Sequence, residues 1–286
     1  MPAPEQCADR MQCMELWGGN TSVSRAVTTP GLEVRVHSRP HAGAAGGGDV
    51  HYVSSCASGR ITRLLLADVS GHGEDASRLA LSLRDLMRAN VNLIDHTQFV
   101  REMNRQFSSQ LSTDRFATAV VCTYFSPKRS LQIGNAGHPP PLLYRAATGR
   151  WSQAEHNADD TDSDDPADFP FGVLPAADYS RLETRLDSGD LLLCFSDAFT
   201  ESVDASGVPL GAAGLLRCVR QLDAAAPEQI VPELLDRLAG EHPDNLTQDD
   251  ATVFLVRAVD SAPTLRDNLL APLRLLGPVR DRSGVE

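Results

Sequence analysis

Five aspartates in this chain stand where a carboxylate is costly to keep. Asp49 ends the glycine run Gly46-Gly47-Gly48. Asp68 closes the apolar stretch Leu64-Leu65-Leu66-Ala67, and Asp197 closes another, LLLCFS. The pair Asp249-Asp250 opens a third, ATVFLVRA. A carboxylate at the end of a buried strand loses its hydration unless a cap, an ion pair or a cation compensates it. For any one of them a helix cap or a salt-bridge partner is the simplest reading. Several at strand ends in one chain point instead to convergence at one rim of a sheet core. A site built only of oxygen donors suits magnesium or manganese. The glycines beside Asp49, and those in Ser70-Gly71-His72-Gly73, would let backbone approach such ions closely.

The elements that must position these groups are legible in outline. Leu32, Val34 and Val36 alternate with polar residues and predict a strand. Ile61 to Val69 is continuously apolar, as a strand buried on both faces is. After Gly73, Leu79, Leu83, Leu86 and Met87 form one stripe of a helix over 74–90, and a second helix follows over 97–111. Strand patterns then dominate, among them FATAVVCTYF, SLQIGNAG, PLLYR, RLETRL and DLLLCFS. Two helical segments, 212–222 and 227–238, precede the last strand. Paired strands flanked by helix pairs, without regular βαβ alternation, predict an α+β fold with antiparallel sheets. Residues 1–30 show no sustained period and read as a leader with at most one docked turn. Residues 155–168 are acidic, with almost no apolar side chain, and read as a solvated flexible loop; they lack the glycine turn and terminal glutamate of a calcium loop. In the tail, 259–286, Leu265, Leu269, Leu273 and Leu276 share one face of a short helix interrupted by Pro272. That stripe suits docking on its own domain, with a homodimer contact as its second use.

Composition narrows the function classes. The 286 residues are 42% hydrophobic and 22% charged, ordinary for a globular protein. With 26 basic against 38 acidic residues the formal charge is −12, which disfavours nucleic acid and anionic lipid as partners. No apolar run reaches the ~20 residues of a membrane span. Glu5 and Asp9 do not suit a signal peptide. Cys122 and Cys194 lie inside apolar strand patterns and no CxxC pair occurs, so the cysteines read as reduced, with no zinc site, in a cytoplasmic protein.

Taken in order, GGD, ADVSGHG, NAGHPPPLL, SDAFTE and DDATV resemble the metal-dependent protein phosphatases of the protein phosphatase 2C fold, specifically the bacterial SpoIIE-type branch. The resemblance runs from about Leu32 to Ala258, so the phosphatase domain is expected over 31–258. It implies an α-β-β-α sandwich with two divalent cations, manganese or magnesium, at one edge. Carried over by motif, Asp68 would bridge both ions with the Val69 carbonyl on one of them. Asp49 would hold one ion, Asp197 and Asp249 the other, with Asp250 in reserve. The implied activity is hydrolysis of phosphoserine or phosphothreonine by metal-activated water. The implied substrate is a regulatory protein of the anti-anti-sigma, STAS-type class in partner switching, with a trans-acting regulator as one route of control.

The chain departs from the pattern in three places. Ala198 follows Asp197 where the family has glycine; if that position needs positive φ, Asp197 would shift, and a weak pseudophosphatase that only binds phosphoprotein is the alternative. Ser70 stands where eukaryotic relatives carry a histidine two residues after the bridging aspartate, and His72 reads as part of the turn into the helix. No arginine matches the eukaryotic phosphate clamp, Arg39 being the nearest candidate. Among the rest, His138 before three prolines reads as the lock of a turn. Thr200 and Glu201 read as supports of Asp197, and Arg115 and Thr118 as structural.

Overall fold

The computed structural model describes residues 8–11, 14–56, 59–111, 115–154, 168–262 and 280–283. In chain order the strands are β1 (Asp9–Arg10), β2 (Glu15–Gly19), β3 (Val23–Thr29), β4 (Leu32–Arg39), β5 (Asp49–Cys56), β6 (Ile61–Val69) and β7 (Ala117–Phe125). They continue with β8 (Ser130–Ala136), β9 (Leu142–Arg145), β10 (Arg150–Gln153), β11 (Leu182–Arg185), β12 (Leu191–Phe195), β13 (Ala251–Ala258) and β14 (Arg280–Asp281). The helices are α1 (Glu74–Ala89), α2 (His96–Gln110), α3 (Asp197–Glu201), α4 (Gly211–Val219) and α5 (Pro227–Glu241). One sheet has the order β1-β3-β4-β13-β12-β9-β10 and the other β11-β8-β7-β6-β5-β2-β14. All pairings are antiparallel except the short edge contacts β1–β3 and β14–β2.

Three apolar layers make this an α-β-β-α sandwich. Leu64 and Leu66 of β6, with Val34 and Val36 of β4 and Phe254 and Val256 of β13, fill the space between the sheets. The alternate residues of β6, Leu65, Ala67 and Val69, face Leu83, Met87, Phe99 and Met103 of α1 and α2. On the far face Leu193, Phe195, Val253 and Leu255 pack on Leu215, Ile230, Leu234 and Leu238 of α4 and α5. The unbroken apolarity of β6 follows directly, since both its faces are covered. Asp95 caps α2 by accepting the Gln98 N–H at 2.7 Å. Cys122 and Cys194 meet between the sheets, and the described cysteines form no disulfide. No helix among the described residues is long and apolar enough to cross a membrane.

One expectation is corrected. The stretch read as a leader contains β2 and β3, which are integral to the two sheets: β2 pairs with β5 and β3 with β4 over seven residues. Its period was hidden because Gly18 and Gly19 end β2, and because VSRAVTT puts small and polar residues on a strand that is only half covered. Gly18 is required there: a Cβ would lie 2.3 Å from the His51 carbonyl oxygen. The acidic stretch 155–167 and the leucine stripe of the tail lie outside the described residues.

Candidate active site

The strand registers bring the aspartates to one end of the sandwich. Asp49 opens β5 and Asp68 lies near the end of β6, directly opposite one another in the antiparallel pair. In the other sheet β12 and β13 pair so that Ser196 and Thr252 face each other. The Ser196 N–H donates to the Thr252 carbonyl at 2.9 Å, and the Thr252 N–H to Ser196 Oγ at 3.0 Å. Asp197, the first residue of α3, and Asp249-Asp250, just ahead of β13, therefore emerge at the same end.

Asp250 fastens the two sheets together at this end. Its Oδ1 accepts the His41 N–H at 2.6 Å, and its Oδ2 accepts those of Gly48 at 2.5 Å and Asp49 at 3.2 Å. The glycine run is shaped around that carboxylate. A Cβ on Gly47 would lie 2.3 Å from Asp250 Oδ2, and one on Gly48 would lie 2.9 Å from the Val69 carbonyl oxygen. Asn20 completes the cradle, donating to the Gly47 carbonyl at 2.8 Å and to Ser77 Oγ of α1 at 2.7 Å. Neither the clamp of Asp250 nor the role of Asn20 was legible in the sequence. Their partners are backbone groups, and Asn20 lies in the segment that showed no period. Asp249 by contrast is exposed, and among the described residues its carboxylate accepts only the Asp250 N–H, at 2.7 Å.

The electrostatics are those of crowded like charges. Burial, then the charges of Asp197, Asp249, Asp250 and Glu201, pushes the Asp68 carboxyl up to about 7. Burial, then Glu201 and Asp249, pushes Asp197 up to about 6. Asp49 is fully buried, and burial with the charges of Asp68 and Asp250 raises it well above the usual carboxylate range. Its Oδ2 has no hydrogen-bond partner. As they stand, no three His, Cys, Asp or Glu side chains among the described residues are close enough to close around an ion. The fit to divalent cations rests instead on an orphaned buried carboxylate oxygen, mutually repelling acids and a donor set of oxygen alone.

Other residues singled out in the sequence fall into place around this rim. His138 is buried and spans the sheets: Nδ1 accepts from Thr118 Oγ1 at 2.8 Å and Nε2 donates to the Phe195 carbonyl at 3.0 Å. Thr118 is the register partner of Asp68, and Phe195 is two residues ahead of Asp197. Burial lowers the His138 pKa to about 4, so the ring is neutral and has one donor and one acceptor to give. The Asn135 side chain also pairs with both backbone groups of His138 at 2.8 Å. Beyond locking its own turn, the motif therefore ties β7, beside Asp68 on the neighbouring strand, to the end of β12, which leads into Asp197.

Ala198 lies within α3, outside the residues with positive φ, and is 6% exposed among the apolar residues beneath α4 and α5. A glycine is not needed there, which removes the ground for a weakened enzyme. Thr200 donates to the Asp197 backbone carbonyl at 2.9 Å, and Glu201 acts on Asp68 and Asp197 through its charge. The Arg39 guanidinium is engaged by the Leu246 carbonyl. Arg115 donates to the Ser70 carbonyl at 2.5 Å, where Gly71 leaves room for it, and His72 is exposed in the turn before α1.

Comparison with known proteins identifies the family and the fold. The family model of stage II sporulation protein E (SpoIIE) matches residues 58–259. Phosphoserine phosphatase RsbU of Bacillus subtilis (strain 168) is 24% identical over 195 residues, which is 68% of this chain and 55% of RsbU. The chain thus spans little more than half the length of that relative. Among solved structures, the RsbU and RsbW domains of a Mycobacterium tuberculosis protein match with a TM-score of 0.68 at 22% identity, over 90% of this chain and 70% of that one. RsbX, solved in complex with magnesium, matches with a TM-score of 0.58 at 15% identity, over 82% of this chain and 100% of that one. Both structures share the fold.

Proposed function

Because the chain belongs to the SpoIIE family of PP2C-like phosphatase domains, we propose that it is a metal-dependent protein serine/threonine phosphatase. The observation that carries this reading is the convergence of buried Asp49 with half-buried Asp68 and Asp197 at one rim, their charges repelling one another and Asp49 Oδ2 unpartnered. Asp68, Asp49, Asp197, Asp249 and the Val69 carbonyl would hold two divalent cations, manganese or magnesium; magnesium is the ion bound in RsbX. Such ions, when bound, cancel the carboxylate charge that repels a phosphate and supply the Lewis acidity for its hydrolysis by water.

The chain's own residues prepare that site. Asp250 holds the end of the glycine run to the start of β13 and leaves the Asp249 carboxylate exposed. His138 ties β7, paired with β6 at Asp68, to the end of β12 that leads into Asp197. Asp68, with its carboxyl near 7, must give up a proton as a cation binds, so loading strengthens as pH rises through neutrality. The substrate we propose is phosphoserine or phosphothreonine on a cytoplasmic regulatory protein of the anti-anti-sigma, STAS-type class. The name phosphoserine phosphatase carried by RsbU, and the pairing of RsbU with RsbW domains in one solved structure, support that class.

The test is hydrolysis of a generic phosphomonoester across a manganese titration, with Asp68→Asn as the matched control. Turnover should rise with metal in the native chain and be absent from the variant. Equal turnover in both would overturn the assignment.

A further inference from the structure

Six large hydrophobic side chains stand open among the described residues, and four of them gather beside the acidic rim. Phe116 is 39% exposed, Phe169 37%, Val173 50% and Leu174 36%. The other two, Ile94 and Val208, lie on separate loops. Pairing draws the four together. Ala117 and Phe171 exchange two backbone hydrogen bonds, at 2.9 and 2.8 Å. A Cβ on Gly172 would lie 3.1 Å from the Arg115 carbonyl oxygen and 3.5 Å from Phe116 Cα, so the 169–174 turn lies against 115–116. Phe171 itself is fully buried, whereas Phe169 and Val173, two residues to either side, stay open.

The backbone beneath the patch is fixed. Asn104 of α2 accepts the Gly172 N–H at 3.0 Å and donates to the Leu174 carbonyl at 2.8 Å. The Ser70 N–H donates to the Phe116 carbonyl at 2.9 Å, and the Phe116 N–H donates to Ser70 Oγ at 3.1 Å. The patch is thereby strapped two residues beyond Asp68. Exposed apolar side chains on a backbone already held in place bind without the cost of ordering that backbone.

We propose that Phe116, Phe169, Val173 and Leu174 form the docking patch for the apolar residues that flank the phosphoserine of a protein substrate. This rests on the phosphatase reading. With phosphate at the rim, the flanking residues of the substrate must lie across the surface beside Asp68. Charge selects among them: Glu201, which holds no ion, and the formal charge of −12 repel acidic flanks, while the Arg115 guanidinium at Ser70-Gly71 complements the phosphate. The substrate this surface fits carries its phosphoserine between apolar, non-acidic residues.

Three probes test it on the full chain with manganese: p-nitrophenyl phosphate and two synthetic phosphoserine peptides, one flanked by leucine and phenylalanine, the other by serine and aspartate. The apolar peptide should exceed the polar one in kcat/KM by about tenfold. That preference should collapse in Phe169→Ser/Val173→Ser and, separately, in Leu174→Ser. Equal turnover of the two peptides by the native chain would overturn the patch while leaving the phosphatase reading intact. So would a dimer dispersed by Val173→Ser with peptide preference unchanged, since the occupant would then be a second copy of the chain. Silence on all three probes would overturn the phosphatase reading, and the docking role with it.

Discussion

Asp249 and Asp250 are adjacent carboxylates at one strand end, and the structure separates their roles sharply enough to measure. In Asp250→Ala the backbone N–H groups of His41, Gly48 and Asp49 lose their acceptor. Hydrogen bonds to a charged group contribute about 1.5–3 kcal/mol each, so the two short ones together stabilise the fold by roughly 3–6 kcal/mol. Part of this returns, because the Asp250 charge also raises the carboxyls of Asp49 and Asp68. A net loss of about 3 kcal/mol remains, and at ~2–4 °C per kcal/mol for a chain of this size it lowers Tm by roughly 6–12 °C. Asp249→Ala removes an exposed side chain whose single bond is to the next residue, and Tm should stay within about 2 °C. Its loss should appear in manganese affinity instead. Thermal unfolding of both variants in EDTA at pH 7.5, followed by manganese titration, makes the comparison. Equal destabilisation of the two, or an unmoved Tm in Asp250→Ala, would refute the clamp.

The remaining predictions concern the same rim. In metal-free protein the Asp68 carboxyl sits near 7 against 3.8 when unfolded, so the unfolded chain gives up that proton first and native stability falls as pH rises from about 4 through 7. Asp68→Asn should therefore be the more stable protein at pH 8, by up to ~4 kcal/mol for three pK units, and no more stable at pH 4; denaturant unfolding in EDTA at both values checks the sign. His138→Ala leaves the Phe195 carbonyl without its donor and Thr118 Oγ1 without its acceptor, and should cost about 2–4 kcal/mol in urea unfolding. Ala198→Gly should lower stability by ~1–2 kcal/mol, through helix entropy and a lost buried methyl, with no gain in phosphomonoester turnover. A gain in turnover would show that the glycine matters after all.

The elements that read most clearly in the sequence are those whose burial is periodic. β6 announces itself because both its faces are covered, and α1 because Leu83, Leu86 and Met87 must all meet the sheet. Asp68 and Asp197 were legible because a charge ending an apolar run stands out locally, and Asp49 because it closes a glycine run. β2 and β3 were not. Gly18 is dictated by the approach of His51 from β5, its neighbour in the sheet but 33 positions away in sequence, and the half-covered face of β3 tolerates serine and threonine. The clamp of Asp250 was hidden for a related reason: it reaches backbone N–H groups, and any residue type supplies those. The glycines are the trace it leaves, since Gly47 has no room for a Cβ against that carboxylate. In the motif NAGHPPPLL the histidine stood out, but only the third dimension shows that it joins two sheets.

The bonds from Asp250 to Gly48, Asp49 and His41 span 202, 201 and 209 positions. During synthesis the N-terminal strands emerge first, and β5 and β6 can pair with Asp49 beside Asp68 long before residue 250 exists. At that stage nothing holds the glycine run, and two carboxylates face each other without their frame. The rim becomes whole only when β13 inserts between β4 and β12, one of the longest loop closures the chain makes, and hence a late and slow event. Nascent or truncated chains that end before β13 should thus be unable to assemble the centre, so its appearance is a time stamp for completed folding. Pulse-labelled hydrogen exchange at the Gly48 and Asp49 amides, read against those of β6, would date it.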